Sequence, residues 1–327
     1  MNDAPDFYVL LGVSSDAEEA EIRLAFASEI KKWHPDTTQG TNGDRARFLI
    51  EARDTLTDPV QRRAYDAQRR KPGLVRTAAR GASQWIFVCS QGMGQFRTIG
   101  EALDAARDGD KIYILPGTYR EPLIAVEKSV ELAGQGSDDE PVIVEGGDDL
   151  LYLPANDVTI RGLCFRTLVA QRIAVRANSQ SATISACKFS APQSTGLLVE
   201  GGSRLVVEGC VFERCELGIR AEGASPAIIA SKFIANTTGL LVRTGCDCAV
   251  ENNDFSDNAG AAIVIEGDTS ANVIRNRFTG SMGKVGVVVK RTSRGIIDHN
   301  RFSGLQGGIF AVDETTEVSV GENNTFE

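Results

Sequence analysis

The sequence predicts a two-part chain: a small all-α unit built on a helical hairpin, then an all-β solenoid of the parallel β-helix kind. Three observations carry this. Apolar residues over 1–70 recur at helical spacing. From residue 84 the pattern changes to short β-branched runs with frequent Gly and Asn. Within that second part, phenylalanine returns at a nearly constant interval. Between the two, Arg69 to Ser83 is basic and carries Pro72, Gly73 and Gly81, the composition of a linker. The expected boundaries are 1–70 for the helical unit, 71–83 for the linker and 84–327 for the β-helix.

The helical unit starts with a short helix over Asp6–Val13 that ends at Gly12. Ser15 with Glu18, and Asp16 with Glu19, both fit a capping box, so a longer helix is expected from about Ala17 to Trp33. Ile22, Phe26 and Ile30 make its buried stripe. Pro35 stops it, because the residue before a proline avoids the α region. A polar loop runs from His34 to Asp44. A second long helix places Leu49, Ala52 and Leu56 on one face. Asp58 and Pro59 supply the cap and first position of a last short helix ending near Arg70.

Three strings stand in order in this unit: D-F-Y-x-x-L-G-V from Asp6, K-K-W-H-P-D from Lys31, and L-T-D-P-x-x-R-R-A-Y-D from Leu56. Together they resemble the J domain of Hsp40-type co-chaperones, over about residues 5–69. The resemblance implies that His34, Pro35 and Asp36 touch an Hsp70 chaperone of the DnaK type and stimulate its ATPase, with Arg23, Lys31 and Lys32 as basic contacts. Proline removes loop freedom, so the flanking imidazole and carboxylate are presented at low entropic cost. Asp36 is placed to pair with a partner arginine. Such a loop catalyses nothing; it biases the partner's conformational equilibrium. The sequence departs from the family at Ala27 and Ser28, where Lys or Arg is usual, and at Arg53, where an aromatic usually stands. Glu18, Glu19, Glu21 and Glu29 make the second helix more acidic, which is expected to slow encounter with a partner.

In the second part Phe165, Phe189, Phe212, Phe233, Phe255, Phe278, Phe302 and Phe326 stand 24, 23, 21, 22, 23, 24 and 24 residues apart. Two residues before each, from Phe189 onward, comes Cys187, Cys210, Ser231, Asn253, Asn276, Asn300 or Asn324. Gly–aliphatic pairs follow, as at Gly196–Leu197, Gly218–Ile219 and Gly286–Val287. Leucine-rich repeats have a similar period but need a recurring leucine frame, which is absent. Each repeat reads strand, turn, strand, Asn turn, strand. Phe is expected to stack in a core column. Asn is expected to take the left-handed turn conformation and to hydrogen-bond from coil to coil. Nine or ten coils advancing ~4.8 Å each give a rod on the order of 45 Å long.

The start of this part holds an amphipathic helix over Thr98–Asp108, with Ile99, Leu103 and Ala106 on one face. A strand over Lys111–Leu115 and a turn over Pro116–Tyr119 follow. These resemble the N-terminal cap and first coil of pectate-lyase-like right-handed β-helices. That resemblance raises an alternative reading: a polysaccharide lyase or esterase, or a carbohydrate-binding module, tethered to a J domain. Gly117–Thr118–Tyr119–Arg120–Glu121 resembles the G-x-Y-x-E start of pectin methylesterases, but that family's later motifs are not found. A structural corner is the expected role of Gly117–Tyr119. Asp254, Asp257 and Asp298 are expected near one another on neighbouring coils, as part of a polar strip. His299 is expected on a solvated turn. Cys246 and Cys248 lack partner ligands at zinc spacing. No catalytic residue, metal or cofactor is expected.

Bulk properties limit the partners. A net charge of −9 argues against nucleic acid and anionic membranes. Residues 1–20 are acidic and lack a secretory pattern, and no apolar run approaches the ~18 residues that span a bilayer. Seven cysteines at repeat-related positions read as small apolar filler. A cytoplasmic co-chaperone is expected, with the β-helix choosing a client, a location or an assembly. The last coil stops at Phe326–Glu327, part-way through a repeat. Self-association through that C-terminal coil is one expectation, a cut chain the other.

Overall fold

The computed structural model describes residues 7–32, 43–69, 85–91, 94–280, 285–311 and 316–327. Helix α1 spans Phe7–Leu11, α2 Glu19–Lys32, α3 Gly43–Thr57 and α4 Pro59–Arg69. Gly12 ends α1 at φ +67°, a left-handed conformation that glycine takes at no steric cost. The Val13 N–H then closes back on the Tyr8 carbonyl at 2.9 Å. Helix α2 starts later than the sequence suggests. A turn closed by Ala17 N–H on the Ser14 carbonyl occupies those residues. Glu18 becomes the cap, and its N–H donates to Glu21 Oε2 at 2.9 Å. At α4 the Asp58 carboxylate accepts from Gln61 N–H at 3.0 Å, as expected of that cap. Ile22, Leu49, Ala52 and Leu56 are fully buried, with Phe26 packed at the margin.

The second part coils through three parallel sheets. Among the described residues sheet 1 has 11 strands, from Trp85–Val88 to Glu317–Val320. Sheet 2 has 10, from Gly117–Tyr119 to Thr325–Phe326. Sheet 3 has 9, from Ile124–Ala125 to Gly307–Ala311. Each strand pairs with its equivalents one coil before and one coil after, in register. Phe189, for example, lies between Phe165 and Phe212. This is a parallel β-helix. Helix α5, Ile99–Ala105, covers its first coil with Ile99, Ala102 and Leu103 buried. It stops three residues short of Asp108. Asp110 folds back to accept from Arg107 N–H at 2.7 Å, a turn geometry that ends the helix.

The phenylalanines form one column. Ring centroids from Phe165 to Phe326 are 4.5–5.2 Å apart and the rings are nearly parallel. That spacing is the strand spacing itself. The glycines of sheet 3 face this column for a steric reason. A Cβ on Gly218 would sit 2.5 Å from the Gly239 carbonyl oxygen and 3.0 Å from the Phe233 ring. Glycine at this position lets the ring approach the backbone, and in two coils the small side chains of Ala174 and Ala262 take its place.

The ladder expectation needs one correction. Asn253, Asn276, Asn300 and Asn324 do hydrogen-bond from coil to coil, but they do not hold the left-handed conformation. The residue before six of the seven ladder positions does: Ala186, Gly209, Ala230, Asn252, Arg275 and His299 have φ between +49° and +60°. The ladder side chain points inward, where its amide is buried. Asn276 Oδ1 accepts from Asn253 N–H at 2.9 Å, while Nδ2 donates to the Val250 carbonyl at 2.8 Å and to Asn300 Oδ1 at 3.1 Å. These bonds fix the turn so firmly that Ala, Arg and His tolerate positive φ. Replacing Asn276 by Leu takes the acceptor from the buried Asn253 N–H and a donor from the Val250 carbonyl. The expected loss is about 3 kcal/mol, read as a lower urea midpoint with an unchanged m-value.

Candidate partner-binding site

The surface to be built is the one that presents the connection between α2 and α3. His34, Pro35 and Asp36 fall in that connection and lie outside the described residues, so the structure speaks to what frames them. Lys31 and Lys32 end α2; their side chains also lie outside the described set. Arg23 is exposed on α2. Its guanidinium is held by Glu19 one turn earlier, at 2.6 Å. An exposed i,i+4 pair of this kind contributes only about 0.3–0.5 kcal/mol, so the cation stays available to a partner.

What holds the frame is a polar clamp between α1 and α4. The Arg62 guanidinium donates to Tyr8 Oη at 2.7 Å, to the Ala17 carbonyl at 2.7 Å and to the Ser15 carbonyl at 3.2 Å. Tyr8 donates to Asp66 at 3.0 Å. Tyr65 Oη accepts from Phe7 N–H at 2.7 Å, and its ring stacks on Phe7 with centroids 4.8 Å apart. The Arg62 bonds to the chain before α2 also fix where that helix begins. Burial raises the Tyr8 hydroxyl above its ordinary pKa, so it remains a donor across the physiological range. Arg53 also finds a role: its guanidinium lies 4.5 Å from the Phe26 ring centroid and takes the place of the usual aromatic. Sequence reasoning quoted Arg62, Tyr65 and Asp66 within a motif but gave them no task. Their signal was the spacing from Asp58.

In the β-helix, the segment resembling an esterase start is engaged in packing. Gly117–Tyr119 is a strand of sheet 2, not the expected turn. Tyr119 is buried and its hydroxyl donates to the Leu115 carbonyl at 2.8 Å. Burial pushes that hydroxyl well up from its ordinary pKa. Both oxygens of Glu121 cap α5, accepting from Ile99 and Gly100 N–H at 2.7 and 2.8 Å. Asp148 and Asp149 face Arg172 and Arg176 at 3.6 and 3.5 Å. Asp254 and Asp298 lie in different sheets, two coils apart, against expectation. His299 is exposed at its turn, with Nδ1 3.0 Å from Asp298. Burial pushes the Cys215 thiol up to about 12. The hydrogen bond from Cys248 brings Cys246 down to about 7, against the cost of its burial. Among the described residues, no three His, Cys, Asp or Glu side chains are placed to share a metal ion.

Two family models match this chain: the DnaJ domain over residues 6–66 and the right-handed β-helix region over 171–326. Residues 6–66 form a DnaJ domain, and residues 171–326 belong to a right-handed β-helix whose parallel sheets begin at Trp85. Over 60 residues the chain is 45% identical to the DnaJ-related protein spj1 of Schizosaccharomyces pombe, covering 18% of this chain and 16% of that protein. Over 66 residues it is 44% identical to chaperone protein DnaJ 1 of Mycobacterium leprae, covering 20% and 17%. The chain therefore spans about a sixth of the length of the curated relatives it matches. Among solved structures it is similar to a carrot pectin methylesterase, with a TM-score of 0.49 and 14% identity over 76% of this chain and 84% of that one. It is also similar to the pectate lyase Pel9A, at 0.47 and 13% over 74% and 80%. At these identities the likeness concerns fold alone.

The clamp has a measurable consequence. Arg62→Ala removes three hydrogen bonds, two of them to carbonyls, and is expected to destabilise the DnaJ domain by about 2 kcal/mol. Amide exchange in α1 should then accelerate about 30-fold, while amides of the β-helix keep their protection.

Proposed function

We propose that this chain is a J-domain co-chaperone. Its His34–Pro35–Asp36 loop engages a DnaK-type Hsp70 and stimulates ATP hydrolysis, assisted by Arg23, Lys31 and Lys32. The observation that carries this reading is the α1–α4 clamp. In a sequence matching the DnaJ family, it joins α1 to α4 around the apolar cluster of Ile22, Leu49, Ala52 and Leu56, which packs α2 with α3, and the connection between those two helices contains that tripeptide. The clamp acts on the position of the helices, and the imidazole and carboxylate of the tripeptide are the groups this reading assigns to the partner.

The β-helix serves in this reading as a docking body that selects a client, a location or an assembly. Its repeated coils offer long flat sides. The residues that resemble an esterase start are committed to packing and helix capping, which favours docking over glycan chemistry. Self-association through the last coil, where Phe326 is exposed, belongs to the same reading. So does a cytoplasmic, reducing location, where seven unpaired thiols are at ease.

The test is single-turnover ATPase of a DnaK-type Hsp70 with and without the chain. Several-fold stimulation is expected, and loss of it in His34→Gln with unchanged circular dichroism. An unmutated chain that leaves the rate untouched overturns the proposal. Release of reducing sugar or unsaturated product from acidic polysaccharides would instead establish a catalytic β-helix.

A further inference from the structure

The outer faces of the three sheets differ. Sheets 1 and 2 carry ion pairs on their outer sides, among them Arg161–Glu131, Arg275–Glu251 and Lys188–Glu213. Sheet 3 is apolar over its later coils. Its register aligns Leu198, Arg220, Leu241, Val264, Val288 and Phe310 in one outward row. Leu241, Val264 and Val288 are half-buried by their own neighbours, and Phe310 is 47% exposed with its ring lying over Gly307. The row on one side holds Leu217 and Thr238, then Ala261 and Val285. The row on the other side is charged. It begins with Glu200, one coil before Glu222, and over the next four coils its sign alternates: Glu222, Arg243, Glu266, Lys290. Arg243 lies 3.4 Å from Glu222 and 3.6 Å from Glu266.

An alternating row of four has a property that a row of three or five lacks. Read backwards, every sign is reversed. A second copy laid face to face, with its rod antiparallel, sets Glu222 opposite Lys290 and Arg243 opposite Glu266, and the reverse. The operation is a twofold axis along the strand direction, passing between the coils of Arg243 and Glu266. The same axis sets Leu241 opposite Val264 and Thr238 opposite Ala261, and brings the exposed Phe310 over the coil of Leu198, which is itself buried. Apolar positions meet apolar positions without adjustment, apart from Arg220, which meets Val288. Arg220 is already engaged with Glu222 at 2.7 Å, so its stem is what it offers. The alternative axis, along the rod, sets the charged row against the Leu217–Val285 row and wastes it. Symmetric self-complementarity of one patch is what an isologous dimer requires.

The size is adequate. Six coils at ~4.8 Å and strands of about six residues at ~3.3 Å outline a patch of about 29 by 20 Å. Two such patches bury roughly 1,100 Å² in all, just above what a specific interface needs. We propose that the outer face of sheet 3 is a self-association surface, closed by a second copy of this chain packed antiparallel through the row Glu222–Arg243–Glu266–Lys290. The inference goes beyond the co-chaperone reading and does not depend on it.

Sedimentation velocity of the full chain from about 1 to about 200 µM tests it. At this interface size a dimer of micromolar Kd is expected. Glu266→Arg places like charges opposite Arg243 twice per dimer and is expected to weaken association about tenfold or more. The swap Arg243→Glu with Glu266→Arg gives up the alternation along the row but again sets opposite charges across the axis, and should bring Kd back to within about threefold. Carbodiimide treatment should join Lys290 of one copy to Glu222 of the other. A chain that stays monomeric throughout overturns the proposal. So does a dimer indifferent to Glu266→Arg, or one whose cross-links map to the last coil or to another protein's binding surface. Hsp70 stimulation, measured on the same variants, reports separately on the J-domain reading.

Discussion

The strand spacing of about 4.8 Å governs the β-helix. Main-chain hydrogen bonds set it, and every side chain that recurs once per coil must be content with a copy of itself at that distance. Phenylalanine is content: rings stack at 4.5–5.2 Å with almost parallel planes. Asparagine is content because its amide is both donor and acceptor, so each copy satisfies the next. A charge is content when it has an opposite charge beside it, as in the outer row through Arg243 and at the buried Glu145, which faces Arg120 and Arg166. The periodicities in the sequence are therefore the signature of one distance.

The two units solve the stability problem differently. The DnaJ domain buries few large side chains, and its helices are joined by polar bonds between residues far apart in sequence. Arg62 with Tyr8 and Phe7 with Tyr65 are separated by 54 and 58 positions. Removing one such bond loosens the whole hairpin. The β-helix spreads its support along the rod, each coil resting on its neighbours, so that damage to one rung is felt locally first.

That difference explains what could be read in advance. The Phe column and the ladder positions were legible because they repeat, and a repeat betrays spatial stacking without any knowledge of the turn. The hairpin was legible from caps and apolar spacing. The residues holding left-handed φ were not, because positive φ at Ala186, Ala230 or Arg275 runs against intrinsic preference. It is imposed by the buried amide, hydroxyl or thiol that follows, a tertiary effect. The start of α2 was misplaced for a related reason: three capping patterns overlap between Ser14 and Glu21, and the bond from Arg62 to Ala17 fixes the chain ahead of the one that forms. Arg53 looked like a defect until Phe26 was seen beneath it.

The Gly117–Glu121 segment shows where motif reading stops being chemistry. Its residue types suit an esterase, and its place in the first coil suits one too. What a side chain can do, however, depends on the bonds it has already made. Glu121 accepts from two helix N–H groups with both oxygens, so its charge is committed to the end of α5. Tyr119 is sealed beneath Val88 and Leu115 with its proton given to a carbonyl. The Asp148 and Asp149 carboxylates face arginines of the next coil. The clamp of the DnaJ domain obeys the same rule. Arg62 is spent on Tyr8, Ser15 and Ala17, and the Tyr65 hydroxyl on the Phe7 N–H, so these residues position helices and do no chemistry of their own.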